Sequence, residues 1–526
     1  MKNLAVVCLC LALLVACSNQ ANTQSQQVDL LIHSGTVFDG TDSPAKQIDI
    51  AICGEIICGL SASGEQHYQA SQQIDATGLI VSPGFIDPHT HSYQELKSTD
   101  KHQNLNYLFQ GVTTVINGND GDGPVDISAS LQKLNPNGIG TNTAFYVGHG
   151  SLRKQVMGKA KRHATVAEIE KMKALLDTAM QQGALGLSSG LYYVPGSFAS
   201  KEEVVELAKV AAKYHGIYDT HLRDESTFNI GFLAALDEAI DIAKQANIHL
   251  HVAHIKALGV DVWGQSKAAI EKINQARRAG VSISADQYPW QASGTNVRSA
   301  VVPKWAMADS ETAFLKRLDD PTLGQQIKTE IKENIRRRGG PDALLITASK
   351  NTELLGLTLE QLAQKLQKSA VDTVIYLVRN GRTRVASFNM NKDDIIAFMQ
   401  QPWVVTSSDG TNGHPRKYAS FPQKYQEFVV KSNTLSLQRF IYSSTGQTAG
   451  ILGISDRGIL KTGKQADIVV FAPKQFTAAA DFKTWNRLSK GVQHLLVNGQ
   501  QVITHGKYTG KRAGQFVKLK REAIKK

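Results

Sequence analysis

The chain has 526 residues, of which 42% are hydrophobic, and it carries a formal net charge of +12. This length is ample for one large hydrophobic core with a smaller appended domain. Part of the positive charge lies in a carboxyl-terminal tail, residues 518–526, where no aromatic residue separates the basic ones. Single-stranded nucleic-acid platforms combine basic with aromatic side chains, so nucleic acid is excluded as a partner. We expect the tail to be solvated, with contact to anionic lipid as the alternative.

The amino terminus has the composition of an export signal. Lys2 precedes an apolar run of about 13 residues, which is too short to span a bilayer. The run ends in Leu14-Val15-Ala16-Cys17, which resembles the bacterial lipobox. Residues 1–17 are therefore predicted to be a lipoprotein signal with Cys17 as the lipidated membrane anchor, followed by a flexible tether over residues 18–27. Ser18 after the cysteine favours the outer membrane, on its periplasmic side; a plain signal peptide with an incidental cysteine is the alternative.

Short apolar runs at both ends of the chain predict a small β domain. Between residues 28 and 82 these runs are broken by Gly and Asp, a pattern typical of a small antiparallel sheet. A similar pattern returns at residues 468–471 and 492–497. We therefore expect residues 28–82 and 455–515 to form one β-sandwich domain. Cys53 and Cys58 flank a tight turn in it, and we expect both to be small, buried, unbonded thiols.

Between the two ends, apolar strands alternate with helical patterns. The repetition predicts an α/β fold, a parallel (β/α)8 TIM barrel over residues 83–454. Residues 296–388 interrupt the repetition with a charged, mostly helical sequence, and they are predicted to form an inserted helical lid. The strands are expected at residues 113–116, 184–187, 217–220 and 250–253, and the helices around residues 167–182, 201–214 and 230–246.

Residues of the types that bind metals follow several of these strands. In the sequence GFIDPHTH, His89 and His91 are two positions apart, so both project from the same side of a strand end. His221, His254 and Asp409 each follow another apolar run. The carboxyl ends of barrel strands meet on one face, so we expect these five side chains to converge. For His89 and His91 alone, two stray histidines in a surface loop would be the alternative.

A mixed set of imidazoles and a carboxylate suits Zn²⁺ or a similar divalent ion. Such an ion activates water near neutral pH and stabilises negative charge on a carbonyl oxygen. Asp409 is then expected to take the proton of the attacking water and to pass it to the leaving nitrogen. His249 and His251 lie before or within their strand, and we expect neither to be a ligand.

Longer sequence blocks resemble the amidohydrolase superfamily and, within it, the N-acyl-D-amino-acid deacylases, also called D-aminoacylases. The resemblance spans residues 28–471, and although each block alone would be weak, the set is highly specific. It implies a metal-dependent hydrolase that converts an N-acyl-D-amino acid, or a related small amide, into a free amino acid and a carboxylate. The blocks include SPGFIDPHTH, GVTTVINGN, VGHGSLRKQVMG, GALGLSSGLYYVPG, THLRDES, VAHIK, DQYPWQASGT, SSDG, HPRKYASFP and DRGILKTGKQADIVVF.

The resemblance also implies roles for individual residues. Two histidine pairs correspond to the two metal positions. One aspartate corresponds to the catalytic residue, which also contacts metal. A guanidinium and hydroxyl groups correspond to the site that binds the substrate carboxylate. Lys256, two positions beyond His254, is expected to contact an acidic substrate side chain. The alternatives are an ordinary ion pair for Arg416, a packing role for Tyr288 and a solvated side chain for Lys256. These roles fall on His89 and His91, His221 and His254, Asp409, and then Arg416 and Tyr288 with Ser293 or Thr295.

One position departs from the family pattern. Family members usually carry a metal-binding cysteine after the second strand, in a segment like GNCG, and here Asp120 occupies that position in NGNDG. A carboxylate can bind or bridge metal ions through its two oxygens. Zn²⁺, as one or two ions, is expected at the site, and the harder oxygen ligand also makes Mn²⁺ or Co²⁺ suitable.

Two other functions remain open at this point. A cyclic-amide hydrolase, like dihydroorotase or hydantoinase, would share the barrel and the first histidine pair. Those enzymes normally bridge two metals with a carboxylated lysine, and residues 184–190 contain no lysine. A non-catalytic binding lipoprotein that has kept the fold is the second alternative. The sequence predicts a small N-acyl amino acid as partner and leaves the oligomeric state open.

Overall fold

The computed structural model describes residues 25–65 and 68–519. Cys17, the predicted signal, most of the tether and the last residues of the basic tail lie outside the described residues. Within the described ranges, no helix combines the length and the hydropathy needed to cross a membrane.

The strands of the amino-terminal part form one side of a mixed sheet. β3 pairs antiparallel with β1, β2 and β4, whereas β1–β5 and β2–β6 are parallel pairs. The expectation of a purely antiparallel sheet was therefore wrong, because strands that are distant in sequence also pair here. The strands are β1 (Gln26–His33), β2 (Thr36–Val37), β3 (Lys46–Cys53), β4 (Ile56–Ala62), β5 (Tyr68–Asp75) and β6 (Ile80–Pro83).

Cys53 and Cys58 form a disulfide, so the prediction of two unbonded, buried thiols was wrong. The register of the β3–β4 hairpin shifts between Ala51 and Ile52, which leaves Cys58 as the extra residue of a bulge. The bulge brings the two Cα atoms within 5.7 Å, inside the range that a disulfide requires. Both cysteines are half-buried rather than in the core.

The middle of the chain alternates strands and helices, and the predicted α/β class is confirmed. One parallel sheet has the order β7-β8-β9, and another begins β10-β11-β12-β13-β14. The strands are short and almost entirely buried, as expected for parallel strands covered by helices. They are β7 (Phe85–Asp87), β8 (Val112–Asn117), β9 (Asn142–Phe145), β10 (Val147–Gly148), β11 (Gly186–Gly190), β12 (Ile217–His221), β13 (His249–Val252) and β14 (Ile283–Gln287).

The helices of this region lie between the strands and bury one apolar face. α5 begins at a capping box, in which Thr165 and Glu168 bond each other's backbone amides. α5, α6 and α7 pack into the largest core cluster through side chains such as Leu176, Leu207 and Leu236. The helices are α1 (Tyr93–Lys97), α2 (Leu105–Leu108), α3 (Ile127–Gln132), α4 (His149–Met157), α5 (Val166–Gln181), α6 (Lys201–Ala212), α7 (Phe232–Ala246) and α8 (Ser266–Arg278).

The segment predicted as a helical lid also contains a small antiparallel sheet. We call residues 292–388 the insert; its strands have the order β15-β17-β16, and its helices pack on that sheet around Ile327, Ile331 and Val374. The expectation of a helical segment missed these strands because they are short and widely separated. The elements are β15 (Ala292–Asn296), α9 (Val297–Val301), α10 (Glu311–Asp319), α11 (Pro321–Arg337), β16 (Leu344–Ala348), α12 (Leu359–Leu366), α13 (Ala370–Arg379) and β17 (Arg384–Phe388).

After the insert the chain returns to both earlier sheets. β18 pairs parallel with β14, and β19 pairs antiparallel with β6, so strands from both chain ends share one sheet. Asp467 joins this sheet to β9, since its carboxylate accepts bonds from Asn142 (2.9 Å) and Arg457 (2.6 Å). The elements are α14 (Lys392–Met399), β18 (Val404–Thr406), α15 (Arg416–Lys424), α16 (Leu437–Ser444), α17 (Gly446–Ile451), β19 (Ile468–Phe471), β20 (Val492–Val497), β21 (Gln500–Thr504) and β22 (Lys507–Tyr508).

Candidate metal centre and active-site cavity

The predicted metal ligands lie at or just beyond the carboxyl ends of strands. His89 and His91 follow β7, Asp120 follows β8, His221 ends β12, His254 follows β13 and Asp409 follows β18. Asp120, His254 and Asp409 have positive φ angles of 57°, 36° and 45°. Non-glycine residues rarely adopt this conformation, although Asp and His do so more readily than most. The chain thus turns sharply at three of the six positions.

Four of these side chains form a first donor group around one point. Asp120 Oδ1 is 3.5 Å from His89 Nε2, and Asp120 Oδ2 is 3.5 Å from His91 Nε2. Asp409 Oδ1 is 3.7 Å from His89 Nε2 and 3.3 Å from His91 Nε2. One ligand atom of each residue lies within 4.8 Å of those of the other three.

Asp120 also belongs to a second donor group, with His221 and His254. Its Oδ1 atom is 3.7 Å from His221 Nδ1 and 3.2 Å from His254 Nε2. The two imidazole nitrogens are 2.8 Å apart. The carboxylate of Asp120 therefore lies between the two histidine pairs, with both oxygens directed at donors.

The arrangement fits a bound cation. His89 Nε2 is fully buried and has no hydrogen-bond partner among the described residues, although it points at two carboxylates. Two ligands of one tetrahedral zinc ion, each about 2.0–2.1 Å from the metal, are about 3.3–3.4 Å apart. The seven separations given for the two groups run from 2.8 to 3.7 Å, on both sides of this value, so each group can accept one divalent ion.

The pKa shifts within the two donor groups also favour a bound cation. Burial alone would raise the pKa of Asp120, but His89 and His254 hold it well below its usual value. Burial acts likewise on Asp409, whose pKa the Arg416 guanidinium and His91 hold below its usual range. The pKa of His254 is raised to about 9, since Asp120 and Glu225 outweigh the effects of burial and Lys256. Both carboxylates are thus ionised, and the pKa values of His89, His91 and His254 are raised, whereas burial lowers that of His221. A metal ion would replace the protons that the three histidines attract.

Glu225, which the sequence analysis did not single out, lies behind the second donor group. Its Oε1 atom is 3.2 Å from His254 Nδ1, and its Oε2 atom is 3.6 Å from His221 Nε2. Carboxylates that face the outer nitrogen of a metal-binding histidine fix its orientation and its tautomer. A sequence signal existed, because Glu225 is part of the block THLRDES and follows His221 by four positions.

A second layer of buried polar residues lies beneath His89. Asp286 Oδ2 is 3.7 Å from His89 Nδ1 and 3.0 Å from His251 Nε2. His251 is therefore directed at Asp286 and lies outside both donor groups. Asp219 lies close enough to His89 and Asp286 to form a third group of donors. The sequence analysis missed Asp219 and Asp286 as site residues, because both lie inside apolar strands.

All the residues of the first and second donor groups except His89 line a cavity of about 960 Å³, which the insert also helps to line. Arg416 Nη1 is 2.7 Å from Asp409 Oδ2, and its guanidinium lies 4.6 Å from the Tyr288 ring centre. The Tyr288 hydroxyl is buried and has no partner among the described residues. Ser293 and Thr295 line the same cavity from β15.

Lys256 also lines the cavity, but its ammonium group is already bonded within the chain. It donates to Glu225 Oε1 at 2.6 Å and to the His254 carbonyl at 2.8 Å, and it is 2.7 Å from His254 Nδ1. An ammonium group has three donors. Its contacts therefore direct it at the second donor group, and an acidic substrate would have to compete with Glu225.

Comparison with known families identifies the chain. The model of the amidohydrolase family matches residues 72–282 and 357–503, which include all the predicted metal ligands. The chain belongs to the amidohydrolase family. The resemblance inferred from the sequence blocks is confirmed, and the gap in the match, residues 283–356, covers most of the insert of this amidohydrolase.

Three relatives match this amidohydrolase over almost its whole length. The D-aminoacylase of Alcaligenes xylosoxydans xylosoxydans is 29% identical, over 94% of this chain and 99% of the relative. The N-acyl-D-aspartate deacylase of the same organism is 29% identical, over 93% of this chain and 95% of the relative. The N-acyl-D-glutamate deacylase of Bordetella bronchiseptica, solved with zinc and a phosphonate inhibitor that mimics the tetrahedral intermediate, is 27% identical. That structure has a TM-score of 0.79 and covers 94% of this chain and 100% of its own.

Proposed function

We propose that this amidohydrolase uses divalent metal to hydrolyse N-acyl-D-amino acids to a free D-amino acid and a carboxylate. The observation that carries the proposal is the meeting of His89, His91, His221 and His254 around the Asp120 carboxylate, with Asp409 paired to Arg416 in the lining of the cavity. The three relatives, which are D-aminoacylases or N-acyl-D-amino-acid deacylases, support the same reaction.

We also propose that the parallel strands close into a (β/α)8 barrel. The two parallel sheets together supply strands β7 to β14 and β18, and β9 and β10 are separated by one residue. A parallel bridge between Thr90 and Gly410 links the chain beyond β7 to the chain beyond β18. These pairings support a closed circle of strands. Closure would explain why residues from distant parts of the sequence meet at one face.

The residues of the chain would divide the work of hydrolysis. A divalent ion held by the donor groups would supply Lewis acidity toward the amide carbonyl and would activate water. Asp409 would accept the proton of the attacking water and donate it to the leaving nitrogen. Glu225 would hold the rings of His221 and His254 in place. The Arg416 guanidinium, with its two-pronged donor geometry, would bind the substrate carboxylate with Tyr288 and a hydroxyl of Ser293 or Thr295.

The ion is proposed to be Zn²⁺, one or two per chain. Imidazole and carboxylate ligands suit it, and the deacylase of Bordetella bronchiseptica was solved with zinc. Asp120 brings an oxygen ligand between the donor groups, so Mn²⁺ or Co²⁺ would also be accommodated. Elemental analysis of the purified protein, followed by chelation and reloading with each ion in turn, tests this assignment.

The reaction is tested with a panel of N-acetyl-D- and N-acetyl-L-amino acids after loading with Zn²⁺, Mn²⁺ or Co²⁺. We expect turnover of D-substrates and little turnover of their L-enantiomers. Asp409→Asn should lower kcat by about 10²–10⁴-fold, the usual contribution of a general acid–base, while most bound metal is retained. A preference for L-substrates would refute the stereochemistry, and near-normal kcat in Asp409→Asn would refute the role of Asp409. Absence of turnover with every ion would favour a binding protein.

We propose, finally, that the protein is exported and anchored to the outer membrane through a lipid on Cys17. The lipobox-like sequence before Cys17 supports this location, and so does the Cys53–Cys58 disulfide, because disulfides persist mainly in oxidising compartments. Cys17→Ser should abolish labelling by a palmitate analogue and move the protein from the membrane fraction to the soluble fraction. Unchanged labelling in that variant would show that Cys17 is not the acylated residue.

A further inference from the structure

Several charged side chains line the active-site cavity, and those outside the insert, apart from Asp120, form ion pairs with one another. Arg416 pairs with Asp409 at 2.7 Å, Lys256 with Glu225 at 2.6 Å and Lys154 with Asp122 at 2.9 Å. Lys417 pairs with Glu95. The remaining carboxylate of the lining is that of Asp120, which faces the histidines. The lining outside the insert is therefore close to electrical balance, apart from the metal site.

The insert adds cations to this lining without adding carboxylates. Arg338, Lys350, Arg382 and Arg384 line the cavity, and none of them makes an ion pair within the described ranges. The guanidinium of Arg338 is bonded within the insert, to the Ala300 carbonyl at 2.9 Å. Arg382 is exposed and donates to Asn296 Oδ1 at 2.9 Å. Arg384 is half-buried, and its guanidinium makes no hydrogen bond to any described residue. A half-buried guanidinium without a partner, facing a substrate cavity, points to a missing anion.

The register of the insert sheet places Arg384 beside Arg416. β15 and β17 pair antiparallel, with Asn296 opposite Arg384 and Gly294 opposite Ala386. Residues opposite each other share a face of the sheet, so Gly294, Asn296 and Arg384 lie on one face. On that face, a Cβ atom built on Gly294 would lie 3.5 Å from Arg416 Nη2. Arg384 therefore extends the cationic surface that begins at Arg416.

The electrostatics agree with this placement. Burial, together with the positive charges of Arg416 and Arg382, lowers the pKa of Arg384 to about 10, although Asp409 acts in the opposite direction. The neighbouring charges are thus predominantly of the same sign. A bound anion would remove this repulsion as well as satisfy the guanidinium.

On the basis of the proposed function, we propose that Arg384, with Arg382 beside it, binds the side-chain carboxylate of an N-acyl-D-aspartate or N-acyl-D-glutamate substrate. Arg416 would hold the carboxylate on the α-carbon of the substrate. The substrate side chain is attached to that same carbon, so its carboxylate would lie next to Arg416. The acyl group lies on the opposite side of the scissile bond. Lys256 is less suited to this role, because its donors are directed at Glu225 and His254.

The test compares substrates that differ by one charge and not by size. We would measure kcat/KM for N-acetyl-D-glutamate and N-acetyl-D-glutamine with the metal-loaded wild type, Arg384→Met and Arg384→Lys. Hydrogen bonds to charged groups support a preference of about tenfold to a hundredfold for glutamate in the wild type. Arg384→Met should abolish that preference, and Arg384→Lys should restore part of it, with the loss mainly in KM.

Arg379→Met is the matched control. Arg379 lies in the same insert and pairs with Asp319 on the surface, away from the cavity lining. It should leave the glutamate-to-glutamine ratio unchanged. Equal metal content and equal thermal midpoints in the variants would exclude a folding defect as the cause of any difference.

Two outcomes would overturn the inference. One is an Arg384→Met variant that keeps the wild-type ratio of kcat/KM for N-acetyl-D-glutamate to kcat/KM for N-acetyl-D-glutamine. The other is dependence on Arg384 for N-succinyl-D-leucine but not for N-acetyl-D-glutamate, which would place the second anion on the acyl side. If no N-acyl-D-amino acid is turned over, the proposed function fails separately. Calorimetric binding of free D-glutamate against D-glutamine to wild type and Arg384→Met would then still decide the role of Arg384.

Discussion

Asp120 occupies the position at which the resemblance to the D-aminoacylases implies a cysteine. A thiolate at this position would offer one soft sulfur, whereas the carboxylate offers two hard oxygens, directed at different histidines. Oδ1 lies near His254 (3.2 Å), and Oδ2 lies near His91 (3.5 Å). The geometry thus allows one side chain to serve both donor groups. We expect the cost to be a weaker selection for zinc over other divalent ions.

Replacement of Asp120 should therefore change how much metal is bound and which metal is preferred. Asp120→Ala removes a ligand from both donor groups, and we expect the bound metal per chain to fall to half or less. Asp120→Cys restores a single ligand atom that favours Zn²⁺, so it should recover zinc but bind Mn²⁺ more weakly than the wild type. Elemental analysis after dialysis against each ion measures both effects.

Asp122→Asn is the control for this pair, since Asp122 lies two positions away and is exposed at the rim of the cavity. Its metal content should equal that of the wild type. Wild-type metal content in Asp120→Ala would show that Asp120 does not bind metal. If Asp120→Cys bound zinc and manganese in the same proportion as the wild type, ligand hardness would not determine which metal is preferred.

At the scale of elements, the loop after β12 supports the two histidines of the second donor group. His221 ends β12, and Glu225 lies in the loop before α7, where it faces the outer nitrogens of His221 and His254. Asp224 shapes this loop by accepting backbone bonds from Ser226 (2.9 Å) and Asn229 (2.6 Å). These two bonds within the loop fix its conformation.

Glu225→Gln should weaken metal binding without unfolding the protein. Loss of the negative charge behind two histidine ligands typically costs about 10–100-fold in metal affinity. Competition with a chromophoric chelator measures that affinity. Asp237→Asn, on the exposed surface of α7, changes charge by the same amount away from the site and should have no effect. Equal affinities in Glu225→Gln and the wild type would contradict the positioning role.

The insert has a hydrophobic core of its own, so a substitution in that core should destabilise the insert more than the rest of the fold. Ile331 on α11 is fully buried in this core, so Ile331→Ala should cost about 2–5 kcal/mol of local stability. We expect faster proteolysis within residues 297–383 and a raised KM, because the insert lines the cavity. Mass spectrometry of the early fragments identifies the cleavage sites. The adjacent Lys332→Ala should behave as the wild type, and cleavage confined to other regions would contradict an independently packed insert.

The sequence predicted best those features that depend on local pattern. Strands such as β8, β12 and β19 follow from buried apolar runs, and the candidate metal ligands follow from polar residues at the ends of such runs. The Cys53–Cys58 disulfide was missed because it depends on a register shift in the β3–β4 hairpin, which residue types do not reveal. Glu225 and Asp286 act through other residues, so their roles become visible only when the contacts are known.

At the scale of the whole molecule, the position of the first ligands depends on pairing between the two chain ends. β6 runs almost directly into β7, which precedes His89 and His91, and β6 is held by its pairing with β19. Asp467, at the start of β19, binds Asn142 on β9 and Arg457. The carboxyl-terminal strands are therefore part of the framework that positions the metal centre.

The global stability should depend on pH through a buried lysine. Lys424 on α15 is 1% exposed, donates to Thr406 Oγ1 at 3.0 Å and has no ion-pair partner in the described part of the chain. Burial and, secondarily, Arg439 lower the pKa of Lys424 to about 7, against a smaller opposite effect of Asp286, from a usual value of 10.5. The folded state therefore disfavours the ammonium form.

The sign of the effect follows from proton binding. Between pH 7 and pH 10.5 the unfolded chain binds the proton of Lys424 more strongly than the folded chain, so stability rises with pH across this window. Lys424→Met removes the charge and preserves the length of the side chain. It should raise the urea midpoint at pH 7 and flatten its rise toward pH 10. Lys461→Met, at an exposed position, is the control for loss of a positive charge. A Lys424→Met midpoint below that of the wild type at pH 7 would mean that the bond to Thr406 outweighs the penalty of burying the ammonium group.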